Sequence, residues 1–241
     1  MSTRLVTPQM LPLAPGQEEI PWLETGDHLS RDEFERRYNA MPEGMKAELI
    51  EGVVYMAPPA LRWDYHGTPH ANLMFVLGYY RSATPGVTVG DNSSVRLDLD
   101  NEPQPDAAMV IHPAYGGQAK FSSDGLLEGA PEFVGEVSAT TVSIDMNAKL
   151  RAYRRNGVRE YLVWRVREKA IDWFSLRNGQ FEPLPQTDNI IRSQVFPGLW
   201  LDPAALIDDD PTSVLRVLNQ GLASPEHAAF VALLKSRVSG S

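Results

Sequence analysis

Two runs of residues constrain this chain more than any other feature of its sequence. Ala107-Ala108-Met109-Val110-Ile111 is apolar at every position, and Phe133-Val134-Gly135-Glu136-Val137 carries one polar residue in a strand-like stretch. Strand-length runs without polar alternation are buried on both faces, which requires a sheet with helices packed against each side. The expected fold is therefore a mixed α/β (α+β) architecture, a mixed β-sheet flanked by helices.

The remaining elements fit around that sheet. Ser30 and Glu33 have the spacing of a capping box, in which hydroxyl and carboxylate both satisfy backbone N–H groups, and Phe34 and Tyr38 give the helix behind it an apolar side. Glu48 to Ile50 and Val53 to Met56 flank Glu51-Gly52, a hairpin that Pro58 and Pro59 should end. Thr68 and Pro69 make an N-cap and first helical residue for a helix running to about Ser82. Val95, Leu97 and Leu99 alternate with polar residues as a half-buried strand, and a Gly-rich loop is expected over residues 114–130. Strand Glu132 to Ser138 is followed by a helix over Asp145 to Asn156, closed by Gly157. Tyr161 to Trp164 and Ile171 to Leu176 are β-like, and Asn178-Gly179 is a hairpin signal.

Composition sets the wider bounds. The 241 residues carry 22 Lys+Arg against 31 Asp+Glu, for a net charge of −9, and contain no cysteine, which excludes thiol nucleophiles, thiolate metal sites and redox switching. No apolar run approaches the ~18 residues of a membrane span and no leader is evident, so a soluble, cytoplasmic protein without a membrane partner is expected. Residues 1–25 read as a Pro-rich arm, 26–207 as the main domain, and 208–241 as a C-terminal helical extension with helices at about 212–220 and 225–236. There is no P-loop, and no nucleotide cofactor is expected.

Asp106 opens the first apolar run and Glu136 interrupts the second. A buried, unpaired carboxylate costs several kcal/mol, so each requires a cation, hydrogen bonds or solvent. Either acid alone is also what a solvated strand end carries; together, on neighbouring strands, they fit a hard divalent ion such as Mg²⁺ or Mn²⁺. Asp145, Lys149 and Tyr153 fall at i, i+4, i+8 on one helix face, so Lys149 could aim at the carboxylates, unless this is a solvated face with a local ion pair. Residues 145–169 hold eight Lys and Arg against three acids. Such a local basic stripe, including Arg151, Arg154 and Arg155, suits phosphate binding, though a soluble helix and its flanking turn carry similar charge. His66 and His70 are four residues apart, but Gly67 and Pro69 place only His70 inside the helix, as an accessory hydrogen-bond donor.

The ordered set KAELIEGVVYMAP, a His-led helix, QPDAAMVI, EFVGEVSATT, and Lys149-x3-Tyr153 followed by NGVREYLVW resembles the Uma2 family, in the PD-(D/E)xK, restriction-endonuclease-like group, over about residues 30–205. The resemblance implies that Asp106, from Pro105-Asp106, and Glu136, from Glu136-Val137-Ser138, bind Mg²⁺ or Mn²⁺. It gives Glu48 as an acid that completes the metal shell, and Tyr153 as an accessory. Where the wider group has lysine this chain has Ser138, so the lysine role falls to Lys149, displaced onto the next helix.

The expected function is a metal-dependent endonuclease, and the resemblance alone implies DNA as its substrate. Asp106, Glu136 and the Val137 carbonyl would hold the ion, and Lys149 would position the attacking water. A homodimer would suit cutting two strands. The alternative is a catalytically inactive nuclease-fold protein serving as a binding or assembly module, a reading that Ser138 keeps open.

Overall fold

The computed structural model describes residues 20–57 and 62–238. The expected arm up to residue 19 and the two prolines after the first hairpin lie outside that range. Helix α1 (Arg31–Tyr38) begins at Ser30, whose hydroxyl accepts from the Glu33 N–H. The reciprocal half of the capping box is not made, because the Glu33 carboxylate takes both Arg36 and Arg37 instead. Strands β1 (Ala47–Ile50) and β2 (Val53–Met56) form the expected hairpin. Both of its turn residues have positive φ, Glu51 at 52° and Gly52 at 76°, as a twisted two-residue hairpin turn requires.

A π-helical turn, Trp63–Gly67, runs directly into α2 (Thr68–Ala83). It is followed by β3 (Val87–Asp91), β4 (Val95–Arg96), β5 (Ala107–Ile111), β6 (Lys120–Phe121), β7 (Leu127–Glu128) and β8 (Phe133–Ser138). A second π-helical turn, Ile144–Lys149, leads into α3 (Leu150–Asn156). Strands β9 (Glu160–Arg165), β10 (Ala170–Arg177), β11 (Gln180–Pro183), β12 (Gln186–Thr187), β13 (Ile190–Arg192) and β14 (Trp200–Leu201) come next. Helices α4 (Pro203–Ile207), α5 (Pro211–Leu222) and α6 (Pro225–Val238) complete the chain. No helix among the described residues is long and apolar enough to cross a membrane.

The central sheet has the order β11-β10-β9-β8-β5-β3, mixed in direction, with β8 and β9 its parallel pair. Along β8 the side chains alternate between two cores. Phe133 and Val137 join Leu73, Val76 and Leu77 of α2 in the larger cluster, which also takes in Val214, Leu218, Phe230 and Leu234 of the C-terminal helices. Val134 packs on the other face with Tyr153 of α3 and Tyr161 and Val163 of β9. Period-2 geometry therefore turns Glu136 and Ser138 toward α3. Gly135 faces α2, where a Cβ would sit 3.0 Å from Leu73 Cδ2, so glycine allows helix and strand to close together.

Three local expectations change. The strand read over Val95 to Leu99 is reduced to Val95–Arg96, because the Asp98 carboxylate bonds the Asp100 N–H and the Asn101 side chain, folding the segment into a turn that leaves Leu99 68% exposed. The Gly-rich loop contains β6 and β7, which join β4 in a small sheet. The short strand β3, unmarked in the sequence reading, lines the edge of the central sheet beside β5.

Candidate active site

Four segments deliver the site. The antiparallel register that pairs Ala107 with Gly135 sets Asp106 beside Glu136 one step further along. From the α3 side, Lys149 Nζ reaches Glu136 Oε1 at 3.0 Å, Glu48 Oε1 at 2.8 Å and Asp145 Oδ1 at 3.6 Å. Tyr153, one helical turn beyond, donates its hydroxyl to Glu136 Oε1 at 2.8 Å. Glu48 reaches in from β1 and also accepts the Gln104 N–H at 2.6 Å. The spacing of Asp145, Lys149 and Tyr153 is realised as a buried face and not as a solvated one.

Asp145 is the member that the sequence reading left as a helix-face partner only. It is 2% exposed and accepts from the hydroxyls of Ser138 and Thr141, while its backbone carbonyl accepts from Tyr161. Ser138 thus fixes an acid beside the ammonium at the point where the wider group places lysine. The signal for Asp145 was its i, i+4 spacing from a lysine that itself had to point inward.

Burial raises the Glu136 carboxyl well above the usual carboxylate range against the pull of Lys149, with Asp145, Asp106 and Glu48 adding to the rise. Burial likewise raises Glu48, again against Lys149. For Lys149, burial acts to lower the pKa, but the carboxylates of Glu136, Glu48 and Asp145 outweigh it and hold the ammonium well above the ordinary lysine value. The Tyr153 phenol is raised by burial and by the Glu136 charge. The centre of the site therefore carries a fixed positive charge inside an excess of acid.

Asp106 sits at the more open side. Its Oδ2 accepts the Val137 N–H at 2.7 Å, so the bond Val137 makes to the site is through its amide. Oδ1 faces His66, with Nε2 at 3.6 Å. His70 Nε2 lies 2.9 Å from the Asp106 carbonyl oxygen and 3.1 Å from Asp91 Oδ1. The expectation that only His70 is helical is corrected. The N–H groups of Gly67 and Thr68 bond to Arg62 and Trp63, five residues back, so the π-helical turn carries His66 through Gly67 and runs directly into α2, whose first turn takes Pro69, and both histidines reach Asp106. Their rings stack at 5.4 Å.

The basic stripe is less available than its residue count suggests. Arg151 binds Glu51 at 2.6 Å, Arg155 lies 3.5 Å from Glu51 and 3.7 Å from Asp98, and Arg154 donates to Gln180. Arg151 and Arg155 are half exposed, so their charge reaches solvent already partly matched. Among the described residues no group of three or more acids and histidines is arranged to hold a metal ion. The bonds above use one oxygen each of Asp106 and Glu136, which leaves the donor set one of hard carboxylate oxygens, as Mg²⁺ and Mn²⁺ prefer.

The comparisons with known proteins bear on fold and family. No curated protein matches the sequence. A crystal structure titled as a putative nuclease of DUF820 from Anabaena variabilis superposes with a TM-score of 0.52 at 13% identity, covering 71% of this chain and 97% of that one. At that identity the likeness is one of fold. The family model Uma2, described as a putative restriction endonuclease, matches residues 31–204, the span that contains every residue of the site. The chain belongs to the Uma2 family.

Proposed function

We propose that the protein is a metal-dependent endonuclease that hydrolyses phosphodiester bonds in DNA. The observation that carries the reading is the packing of Glu48, Glu136 and Asp145 around one buried ammonium, with Asp106 beside them. In low-dielectric surroundings such an excess of acid is relieved by protons or by a cation. The upward shifts of Glu48 and Glu136 are the proton solution; a divalent ion is the other. A bound Mg²⁺ or Mn²⁺ supplies charge for the developing phosphoryl oxygens and lowers the pKa of a water.

Asp106 and Glu136 would hold that ion, with the Val137 carbonyl as a further oxygen donor. The Val137 N–H fixes the Asp106 carboxylate, and Tyr153 fixes Glu136, so neither acid is free to swing away. Lys149 keeps its proton and orients the attacking water as a donor, since three acids around it oppose deprotonation. Because Arg151 and Arg155 are engaged with Glu51 and Asp98, DNA would have to compete for them, and binding should weaken steeply with salt.

The test is incubation of the purified protein with supercoiled plasmid, single-stranded DNA and RNA, in Mn²⁺, Mg²⁺ or EDTA at low salt. Nicking or linearisation of plasmid that requires the ion supports the reading. Ion binding without cleavage of any polymer would overturn it in favour of a non-catalytic binding module.

A further inference from the structure

We propose that Trp63 is a base-stacking residue and that the strand this site takes is an unpaired one, with a nucleobase next to the phosphate at Asp106 lying on the Trp63 indole. The proposal rests on the endonuclease reading above and adds a binding residue and a substrate form to it.

Indole is among the largest apolar side chains, and leaving it in water forgoes the burial its size would otherwise gain. Trp63 is nevertheless 84% exposed. A single exposed apolar residue is ordinary by itself, and what distinguishes this one is its position. Trp63 opens the π-helical turn Trp63–Gly67, a rare geometry that recurs at functional sites. Three residues on, His66 Nε2 lies 3.6 Å from Asp106 Oδ1, on the more open side of the site. Side chains three apart on a helical turn have Cβ atoms on the order of 5–6 Å from each other, so the indole stands at the mouth of the site.

The turn is held in place without using that ring. Tyr65 is covered by Arg167, whose guanidinium carbon lies 5.6 Å from the ring centroid. Arg167 follows β9, whose Arg165 is in register with Ser138 of β8, so the contact pins the turn over the ends of the two parallel strands. Along the turn itself Arg62 offsets Asp64, so it offers a strand little net charge; what it offers is an aromatic face. Stacking on such a face tolerates any base. In a duplex both faces of a base are covered by its neighbours, so only an unpaired or flipped nucleotide can use the ring. Arg167, exposed over Tyr65, adds a positive charge for an adjoining phosphate.

The test is fluorescence anisotropy with a labelled single-stranded DNA oligonucleotide and its duplex, in EDTA and in Ca²⁺. The proteins are the full chain, Trp63→Phe, Trp63→Ala and, as a control at another exposed tryptophan, Trp22→Ala. Wild type should bind the single strand about tenfold tighter than the duplex, and its tryptophan emission should fall on binding. Trp63→Ala should lose about tenfold in single-strand affinity, the scale of one stacked base. Trp63→Phe should keep most of the affinity and lose the quenching, and Trp22→Ala should match wild type. The Trp63 ring is exposed, so these changes leave folding intact. Equal wild-type affinity for the two forms, binding of neither, or equal single-strand affinity of wild type and Trp63→Ala overturns the proposal; Mn²⁺-dependent cleavage in the same preparation would still uphold the endonuclease reading. Single-strand binding through Trp63 without cleavage in Mn²⁺ overturns the endonuclease reading and leaves the stacking role standing.

Discussion

The Lys149 ammonium lies 3.0 Å from Oε1 of Glu136, with the two side chains only 6% and 4% exposed. The pair joins the helix after β8 to the middle of β8 itself, so the crossover that builds the parallel pair of strands also builds the site. An ion pair this deep gains little net stability while both partners are present, and removing one partner leaves an uncompensated charge.

Lys149→Met should destabilise the protein by about 3 kcal/mol at pH 8, the low end of the range for breaking a buried pair. The loss should shrink at pH 5. Glu48 and Glu136 have folded pKa values already above their unfolded ones, and without the ammonium those values rise further. The penalty for ionising them is present above the unfolded carboxylate pKa and fades as pH falls toward it. Urea unfolding of both proteins at the two pH values checks this; an equal loss at each would contradict it.

Tyr153→Phe removes the hydroxyl that donates to Glu136 Oε1 at 2.8 Å but keeps the ring packed 5.0 Å from Tyr161. A stability loss of about 1–2 kcal/mol is expected, the scale of leaving one buried acceptor without its hydrogen bond. Cleavage should fall about tenfold because Glu136 loses one of its restraints. Urea midpoints and single-turnover rates measure the two effects separately.

Ser138→Lys should not recreate the lysine position of the wider nuclease group. Ser138 is fully buried and its hydroxyl donates to Asp145, so a lysine there is expected to cost about 2–3 kcal/mol through overpacking and the lost bond. The double variant Ser138→Lys with Lys149→Ala should remain inactive. Recovery of cleavage in that double variant would show that the site tolerates the ammonium from either element.

Away from the site, Glu102 is raised to about 8, first by burial and then by the hydrogen bond and charge it shares with Glu35, and its Oε2 is buried without a hydrogen-bond partner. The folded state keeps a proton there that the unfolded chain releases above about 4.5. Its contribution to stability is therefore present at low pH and declines as pH rises from about 4.5 to about 8. Glu102→Gln should raise the thermal midpoint at pH 9 and flatten its dependence on pH across that window. Identical pH profiles for variant and wild type would contradict the assignment.

Much of this arrangement was legible in the chain because burial leaves a signature. The apolar runs around Asp106 and Glu136 marked two central strands. Other buried acids carried the same signature with a different purpose. Glu132 accepts the N–H groups of Ile111 and Gln118, and Glu160 those of Gln194 and Val195, so each of them staples a loop. Only the structure separates an acid facing backbone amides from one facing a lysine. His66 was set aside because Gly67 and Pro69 argue against an α-helix, and no local pattern announces a π-helical turn. The arginine stripe was read from residue counts, whereas Glu51 and Asp98, far away in sequence, neutralise part of it.

The most direct test of the account is Mn²⁺-dependent cleavage of supercoiled plasmid by wild type, Asp106→Ala and Lys149→Ala, purified identically and confirmed folded. The account predicts nicking by wild type and a loss of about a hundredfold or more in each variant, the scale expected when a group acting on the transition state is removed. Equal cleavage by all three proteins, or none by a wild-type protein with Mn²⁺ bound, would contradict it.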